Sequence, residues 1–280
     1  MRALKVYVLV EDYSGYESPF LAQHGVSFLV EKDGKRILFD TGQSAEPILH
    51  NMKLLGIEPS SIDYVFLSHC HYDHTGGLLG ILKAVGRRIP VIAHPEIFRR
   101  HFTMSPYLRS VGIPFRRAEI EELADLYLTP KPLEIVEGIR STGEVRSREE
   151  FERGHLQVYT IKNGQVQEDT IMDDMSLVAK TPEGLVIISG CSHAGIVSIV
   201  RHAIRLTGEK RVRAVIGGFH LIDASEERIE RTVREFLELG VKEVYTGHCT
   251  GLRAEAAFLK AYGERFRKLH SGMVVEFEGD

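Results

Sequence analysis

The chain has 280 residues, of which 43% are hydrophobic and 26% charged, a composition typical of a globular protein with enough apolar side chains for one large core. The 35 basic and 39 acidic residues give a formal net charge of −4, so no overall positive field attracts nucleic acid or an anionic membrane. We expect a single domain over residues 1–280 and a small-molecule substrate, with neither a nucleic acid nor a membrane as partner.

The N-terminal residues and the cysteines indicate the cellular compartment. The apolar run at residues 6–10 is too short for a secretory signal, and no stretch approaches the roughly 20 apolar residues that span a bilayer. The three cysteines are an odd number scattered along the chain, which is typical of a reducing compartment rather than of a disulfide framework. The sequence therefore predicts a soluble, cytoplasmic protein.

The first 95 residues alternate between predicted strands and helices. "KVYVLV", "GVSFLV" and "KRILFDTG" are predicted strands, and the Asp-Gly pair in "EKDGK" suits a tight hairpin between the last two. Helices are predicted at "EPILHNMKLLG", before the buried strand "YVFLSH" in the sequence, and at "GGLLGILKAVG", after it. "PVIAHP" is a further strand.

Residues 96–154 lose clear periodicity and gain charge, which predicts an insertion or lid rather than a separate domain. If this segment folds over the site, its basic residues suit an anionic group such as phosphate or carboxylate, and its aromatic residues suit a planar ring. A solvated loop with surface arginines, packed on the body by its aromatic rings, is the alternative. These basic and aromatic residues are Arg99, Arg100, His101, Arg109, Arg116 and Arg117, and Phe98, Phe102, Tyr107 and Phe115.

The second half repeats one pattern three times. "LVIISGCSH", "RAVIGGFH" and "KEVYTGHCTG" are each an apolar strand that ends in glycine and histidine and precedes a predicted helix. Such a repeat places histidines at the carboxyl ends of neighbouring strands, where open α/β sheets bind their ligands.

The segment "LSHCHYDHTGG", residues 67–77, contains four ligand-type residues within six positions: His69, His71, Asp73 and His74. A strand end that turns into a loop can bring these side chains around one or two cations, and imidazole with carboxylate is a ligand set for zinc, iron(II) or manganese. A chance cluster is the alternative, but it would crowd unpaired polar groups near a core. The motif therefore predicts a metal site.

These residues resemble motifs of the metallo-β-lactamase superfamily. "SHCHYDH" followed by "TGG" matches its HxHxDH signature, and "ILFDTG" at residues 37–42 matches its first motif. The resemblance implies an α/β fold of four layers, αββα, in which two mixed sheets lie face to face with helices outside and a metal site at one edge. It implies that His69 and His71 bind a first ion, and that Asp73 and His74 bind a second.

The second half departs from the common pattern of that superfamily. The usual third histidine is missing, because Met172, Asp173 or Asp174 falls at its position, and His193 is our candidate to replace it. Cys191 takes the position of the usual bridging aspartate, so we select it as a cofactor-binding residue. It could bind metal as a thiolate, line the pocket, or pack as a small apolar group.

Three further residues have both a functional and a structural interpretation. His248 in "YTGHCTG" matches the final histidine motif, which implies a ligand of the second ion, and a histidine that merely begins a helix is the alternative. By the same resemblance, Asp40 would orient ligands through hydrogen bonds, unless it only forms a turn. His220 in "IGGFHL" has no counterpart, and could be a proton donor, a substrate contact, an additional ligand or a buried structural histidine.

"GCSHAGI", "GGFHL", "GHCTG" and "STGEVRSREEFE" together resemble the branch of the superfamily named for methanopterin-related dihydropteroate synthase. We nevertheless expect first a metal-dependent hydrolase of a phosphorylated or ester-bearing small molecule, which uses two divalent ions to activate a water. Zinc is favoured, with iron or manganese as alternatives. Asp73, as proton acceptor, and His220 are the catalytic candidates.

Two other functions stay open. A dihydropterin-linked synthase, which is a transferase, would use the same ions to hold a phosphate or diphosphate leaving group while a nucleophile other than water attacks. A non-catalytic metal-binding or redox-sensing protein is the third hypothesis, because cysteines lie beside three of the histidine motifs.

Overall fold

The computed structural model describes residues 3–154 and 157–279, and within them none of the helices has the length and apolarity needed to cross a bilayer. The strands are β1 (Leu4–Val10), β2 (Ser27–Lys32), β3 (Lys35–Phe39), β4 (Tyr64–Phe66), β5 (Pro90–Ala93), β6 (His101–Thr103), β7 (Arg109–Ser110), β8 (Asp125–Leu128), β9 (Glu134–Val136), β10 (Ile139–Ser141), β11 (Val158–Lys162), β12 (Gln165–Glu168), β13 (Leu177–Thr181), β14 (Gly184–Ile188), β15 (Val212–Gly218), β16 (Glu243–Gly247), β17 (Phe266–Lys268) and β18 (Val274–Phe277). The helices are α1 (Ala45–Leu54), α2 (Tyr72–Thr75), α3 (Leu78–Val85), α4 (Arg117–Glu121), α5 (Ile196–Thr207), α6 (Glu226–Glu238) and α7 (Leu252–Tyr262).

Two mixed sheets of seven strands each form the frame of the molecule. The first has the order β18-β1-β2-β3-β4-β5-β8, and the second has the order β17-β16-β15-β14-β13-β10-β9. In the first sheet β3, β4, β5 and β8 are parallel neighbours, and the remaining pairs are antiparallel. In the second sheet β14 to β17 are parallel, whereas β13, β10 and β9 are antiparallel.

Apolar side chains fill three layers between and outside the two sheets. Phe28 of the first sheet and Ile216 of the second belong to one buried cluster between the sheets. On the outer face of the first sheet, a second cluster includes Ile81 of α3. On the outer face of the second, a third cluster includes Phe236 of α6 and Phe258 of α7. The predicted four-layer αββα fold is confirmed.

The strands and helices on either side of the middle segment lie where the sequence places them. The β2–β3 hairpin turns at Asp33 and Gly34, whose φ angles of 52° and 79° are the positive values that an Asp-Gly turn provides. Gly86 and Gly208 end α3 and α5 in the left-handed conformation. Each of the three repeated strand–glycine–histidine units is followed by its predicted helix, α5, α6 or α7.

Residues 96–154 contribute to all three sheets of the molecule. β6 and β7 join a separate four-stranded sheet of order β12-β11-β6-β7, β8 extends the first large sheet, and β9 and β10 extend the second. These strands contain only two to four residues each, which is too short to produce a recognisable alternation in the sequence. The single-domain organisation and the role of this segment as a lid stay predictions.

The buried carboxylate of Glu152 caps the first turn of α5. It accepts hydrogen bonds from the backbone N–H groups of Val197 and Ser198, both 2.8 Å, and from the Ser198 hydroxyl, 2.6 Å. Glu152→Ala leaves these donors without a partner, so we expect the free energy of unfolding to fall by about 1–3 kcal/mol. Urea denaturation measures this change. Glu150→Ala, at an exposed neighbour, is the control, and equal stability of the two variants would contradict the prediction.

Candidate metal centre

Four strand ends, one from the first sheet and three from the second, meet at one edge of the sandwich. The motif at residues 69–74 follows β4, Cys191 and His193 follow β14, His220 follows β15, and His248 follows β16. Direct contacts between side chains from the two sheets connect these ends. The structure therefore brings together all the residues that were predicted as ligands, and places His220 beside them.

Several residues at these strand ends adopt a strained backbone. Four of them have φ angles in the left-handed region, which residues other than glycine rarely adopt. They are Asp40, Ser192, His220 and His248, with φ angles of 57°, 60°, 47° and 48°. Such residues cost about 1–3 kcal/mol each and cluster at functional sites. Tertiary hydrogen bonds hold them: the Ser192 hydroxyl donates to the Gly218 carbonyl at 2.6 Å.

The first set of donors consists of three histidines, of which His69 is fully buried and His71 and His193 are half-buried. Nε2 of His69 lies 3.0 Å from Nδ1 of His71, and Nε2 of His193 lies 3.2 Å from the same Nδ1. A single ring nitrogen has either one proton or one lone pair, so it cannot satisfy both neighbours by hydrogen bonding. A cation between the three rings would accept a lone pair from each of them.

The second set of donors consists of Asp73, His74, His248 and Cys191. Oδ2 of Asp73 lies 3.3 Å from Nε2 of His74 and 3.4 Å from Nε2 of His248. The thiol sulfur of Cys191 lies 3.1 Å and 3.3 Å from the same two nitrogens. The four ligand atoms lie within 4.8 Å of one another, and Cys191 also lies within that distance of His69 and His193.

The charge states of these side chains fit divalent cations. Burial lowers the pKa of His69, His71 and His193 well below the usual histidine range, so their rings are neutral and can donate lone pairs. Burial would also lower the pKa of His74, but the carboxylates of Asp73 and Asp40 raise it to about 9. The same carboxylates would favour a divalent cation at this negatively charged end of the cluster.

Carboxylates behind the donors fix the orientation of the rings. Oδ2 of Asp40 lies 2.7 Å from Nδ1 of His74, and the two oxygens of Asp40 accept hydrogen bonds from the backbone and hydroxyl of Ser68. Asp12 lies 2.9 Å from Nδ1 of His248. Each ring is thereby held with Nε2 directed at the cluster, which is how carboxylates orient metal-binding histidines.

Asp40→Asn is expected to weaken metal binding by about 10–100-fold, because the amide offers only one acceptor oxygen to Ser68 and His74. Titration with a chromophoric metal chelator measures the affinity. Asp125→Asn, an exposed site paired with Arg88, is the matched control and should leave the affinity unchanged. Equal metal affinities of wild type and Asp40→Asn would show that Asp40 only forms the turn and does not orient the ligands.

A chain of hydrogen bonds behind His71 was not predicted. Nε2 of His71 lies 2.8 Å from Nε2 of His101, and Nδ1 of His101 lies 2.8 Å from Asp169. Asp169 in turn accepts a hydrogen bond from Arg99 at 2.5 Å, and Arg99 also pairs with Asp173 at 2.8 Å. His101 lies in the segment without periodicity, so no sequence spacing connects it to His71.

The positions aligned with the missing histidine hold the backbone rather than the cluster. Asp173 accepts a hydrogen bond from the N–H of Cys70 at 2.8 Å, between the first two motif histidines. Asp174 accepts one from the N–H of Ala194 at 2.7 Å, directly after His193. Both aspartates therefore fix segments that carry candidate ligands.

A third group of close donors consists of Cys191, His220 and Cys249, whose ligand atoms also lie within 4.8 Å of one another. A Cβ atom at Gly218 would lie 2.6 Å from the sulfur of Cys249, so glycine is required there to leave room for the thiol. Cys70, Cys191 and Cys249 are not joined by disulfides in the structure. His220 lies next to His193, with ring centroids 4.4 Å apart.

A cavity of about 920 Å³ opens beside the cluster, and His71, His193 and His220 form part of its wall. Ligand pockets commonly have volumes of roughly 300–1,000 Å³, so this one is large enough for two small reactants. Its basic residues are Arg146, Arg148, Arg153 and Arg228.

The arginines and aromatic residues predicted to contact a substrate do not line this cavity. Arg99 is buried against Asp169, and Arg116 and Arg117 pair with glutamates of α4 and its flanks. Phe98 and Phe115 pack against the cluster on the outer face of the first sheet, and Phe102 contacts Tyr159. Arg100, Arg109 and Tyr107 are exposed. An anionic substrate therefore stays a prediction, and the arginines available to bind it in the cavity are Arg146, Arg148, Arg153 and Arg228.

The fold, the motif and this cluster define the class of protein. The family profile described as the metallo-beta-lactamase superfamily matches residues 22–161. The chain belongs to the metallo-beta-lactamase superfamily. It is 46% identical over 284 residues to the 7,8-dihydropterin-6-methyl-4-(beta-D-ribofuranosyl)-aminobenzene-5'-phosphate synthase of Methanocaldococcus jannaschii, across 98% of this chain and 97% of that protein. This identity confirms the resemblance to the dihydropteroate synthase branch.

Two further similarities bear on function. A crystal structure of Tm1679, described as a metal-dependent hydrolase of the beta-lactamase superfamily, superposes with a TM-score of 0.84 at 32% identity, covering 98% of this chain and 99% of that one. The ribonuclease Z of Nanoarchaeum equitans is 39% identical over 75 residues, which is 27% of this chain and 23% of that enzyme. The full-length similarities are thus to a synthase and to a hydrolase of the same fold.

Proposed function

We propose that this enzyme is a metal-dependent transferase that joins a dihydropterin to a ribofuranosylaminobenzene 5'-phosphate. The observation that carries the proposal is the 46% identity, along nearly the full length of both chains, to a synthase named for such a product. The cavity beside the histidines is consistent with it, because two reactants must be held together. The synthase, which the sequence offered as an alternative, therefore replaces the hydrolase as the preferred function.

The cluster would hold two divalent cations, with zinc favoured by the mixture of imidazole, carboxylate and thiolate. Bound there, the cations would supply positive charge that stabilises a phosphate or diphosphate leaving group. The proposed ligands are His69, His71 and His193 for one ion, and Asp73, His74 and His248 for the other, with Cys191 beside both.

In the proposed reaction, the aromatic amine nitrogen attacks the methylene carbon attached to the ring of a dihydropterin diphosphate. A C–N bond forms while the C–O bond breaks, and the diphosphate leaves with the electron pair. His220 forms part of the cavity wall beside His193, so we propose it as the side chain that contacts the amine and accepts its proton. Asp73 would act as a ligand that also keeps His74 and His248 in place.

The proposal is tested by incubating the metal-loaded enzyme with dihydropterin diphosphate and the aryl ribofuranosyl phosphate, separately and together. We expect coupled product by mass spectrometry only with both substrates, and one diphosphate released per product. Diphosphate released at the same rate without the amine would replace the synthase by a hydrolase.

Hydrolysis is the second candidate, because the superposing structure with a TM-score of 0.84 is described as a metal-dependent hydrolase. It predicts metal-dependent turnover of phosphomonoesters or phosphodiesters with water as the only nucleophile. A panel of such esters, assayed with the same metal-loaded enzyme, separates the two candidates.

A further inference from the structure

The arginines of the cavity differ in how their charge is balanced. Arg146 pairs with Glu144 at 2.5 Å. Within residues 3–154 and 157–279, no carboxylate forms an ion pair with Arg148, Arg153 or Arg228. Three cations without a paired carboxylate therefore line one cavity in a protein whose net charge is negative.

Arg148 is fixed in place by neutral groups. Its Nε, Nη1 and Nη2 donate to the backbone carbonyls of Val145, Thr170 and Ile171, at 3.1, 2.6 and 2.9 Å. A guanidinium has five N–H donors, so two stay available after these three hydrogen bonds. The carbonyls hold the side chain rigidly but do not neutralise its charge.

Arg228 is the least satisfied of the three. It projects from the first turn of α6, and its Nε is buried without a hydrogen-bond partner among the described residues. Its Nη1 lies 3.0 Å from the point that a Cβ atom at Gly154 would occupy, so the absence of a side chain at Gly154 leaves room for the guanidinium. A buried donor without a partner is destabilising unless a ligand satisfies it.

Carboxylates lie near these cations without forming an ion pair with them: the charge of Glu152 acts on Arg228, and those of Asp174, Asp173 and Asp169 act on Arg148. Glu152 is occupied by the N-terminus of α5, and Asp169 by Arg99 and His101. The side chains of Glu168 and Asp223 are exposed. Arg148 and Arg228 therefore keep N–H donors that none of the carboxylates among the described residues occupies.

We propose that Arg148 and Arg228, with Arg153 beside them, bind the phosphate of a sugar phosphate substrate, at a site separate from the metal ligands. A phosphomonoester presents several oxygens with two negative charges, and guanidinium groups pair with it in bidentate fashion. Under the proposed function, on which this identification rests, it is the 5'-phosphate that remains in the product. The arginines thus anchor the aryl ribofuranosyl phosphate by a group that does not react.

The test measures binding of D-ribose 5-phosphate and of D-ribose to the metal-loaded enzyme by isothermal titration calorimetry. We expect Arg228→Gln to weaken binding of D-ribose 5-phosphate by about tenfold or more, since a charge-assisted hydrogen bond is lost. Binding of D-ribose should not change. Arg234→Gln, an exposed arginine on the same helix that pairs with Glu230, is the matched control and should bind as wild type does.

A second variant separates the arginines from the metal ligands. His69→Ala should retain binding of D-ribose 5-phosphate within a few fold if the arginines hold the phosphate. Loss of binding in His69→Ala together with unchanged binding in Arg228→Gln would overturn the proposal, because the phosphate would then bind at the cluster.

The proposed function can fail independently of this site. Binding that depends on Arg228 in an enzyme without synthase activity would refute the synthase and support the phosphate site. If the enzyme has synthase activity and Arg228→Gln leaves its KM for the aryl ribofuranosyl phosphate unchanged, the synthase is supported and the phosphate site is refuted.

Discussion

The double variant with His69→Ala and His71→Ala is expected to lose the ion assigned to the three-histidine set and at least about a thousandfold in turnover. His69 is fully buried and His71 half-buried, and their nitrogens lie 3.0 Å apart. Desolvation lowers the pKa of both rings, so neutral rings are available to donate lone pairs to a cation. Metal ions contribute several kcal/mol to the stabilisation of developing charge, and about 4 kcal/mol corresponds to roughly a thousandfold in rate. Plasma mass spectrometry of the purified protein and a turnover assay measure the two effects.

His50→Ala is the matched control, because His50 is an exposed histidine on α1, far in sequence from the motif. This variant should retain metal and turnover. Circular dichroism would establish that the double variant is folded. Unchanged turnover in a folded double variant that lacks this ion would refute a catalytic role for the three-histidine set.

His193→Ala is expected to reduce the metal content from two ions to one per chain and to lower turnover by about a hundredfold or more. Nε2 of His193 lies 3.2 Å from Nδ1 of His71, where it completes the three-histidine set, whereas Asp73, His74 and His248 form a set without it. A site reduced to two imidazoles holds a divalent ion weakly, because structural and catalytic sites have at least three protein ligands. Metal analysis after dialysis measures the stoichiometry.

His202→Ala serves as the control for His193→Ala. His202 lies on α5, nine residues beyond His193, and contacts the Thr142 carbonyl at 3.0 Å rather than the cluster. It should retain two ions. If His193→Ala also retained both ions, His193 would not be a ligand. The ligands would then be those of the HxHxDH motif together with His248.

The parts of the site that the sequence predicts follow from strand periodicity and local spacing. A run of apolar residues that ends in glycine and histidine fixes both a strand and the residue at its tip, so His193, His220 and His248 could be assigned to one edge. The HxHxDH motif lies within six positions and needs no tertiary information. Its family resemblance then supplied the order of the layers.

The substrate side of the site could not be predicted in this way. Arg148 and Arg228 come from segments 80 positions apart in the sequence. Arg148 lies in "STGEVRSREEFE", whose resemblance to the branch does not indicate which of its side chains face a cavity, and Arg228 lies in none of the motifs. The arginines at residues 99–117 were predicted to bind substrate because they lie close together in the sequence. Closeness along the chain does not determine which side chains face a cavity. Only the packing of α6 against the segment at 146–154 brings the relevant charges together.

The hydrogen bonds behind the ligands illustrate the same limit. His101 of β6 contacts His71, and Asp169, which follows β12, contacts His101. β6 and β12 belong to one four-stranded sheet, and local spacing in the sequence does not indicate its long-range pairing. Asp173 and Asp174 align with the missing histidine, and their buried carboxylates accept hydrogen bonds from backbone N–H groups. An unpaired backbone N–H in a core is costly, which explains why carboxylates occupy these positions.

The origin of the donors has a mechanical consequence. His69, His71, Asp73 and His74 follow a strand of the first sheet, whereas Cys191, His193 and His248 follow strands of the second. An ion bound to both groups acts as a cross-link that spans the interface between the two halves of the sandwich. Because the unfolded chain does not preserve such a site, an ion at 1,000 times its dissociation constant adds about 4 kcal/mol to the free energy of unfolding. Chelation should therefore lower the melting temperature as well as the activity, and the sandwich should open first along the edge that the ions close.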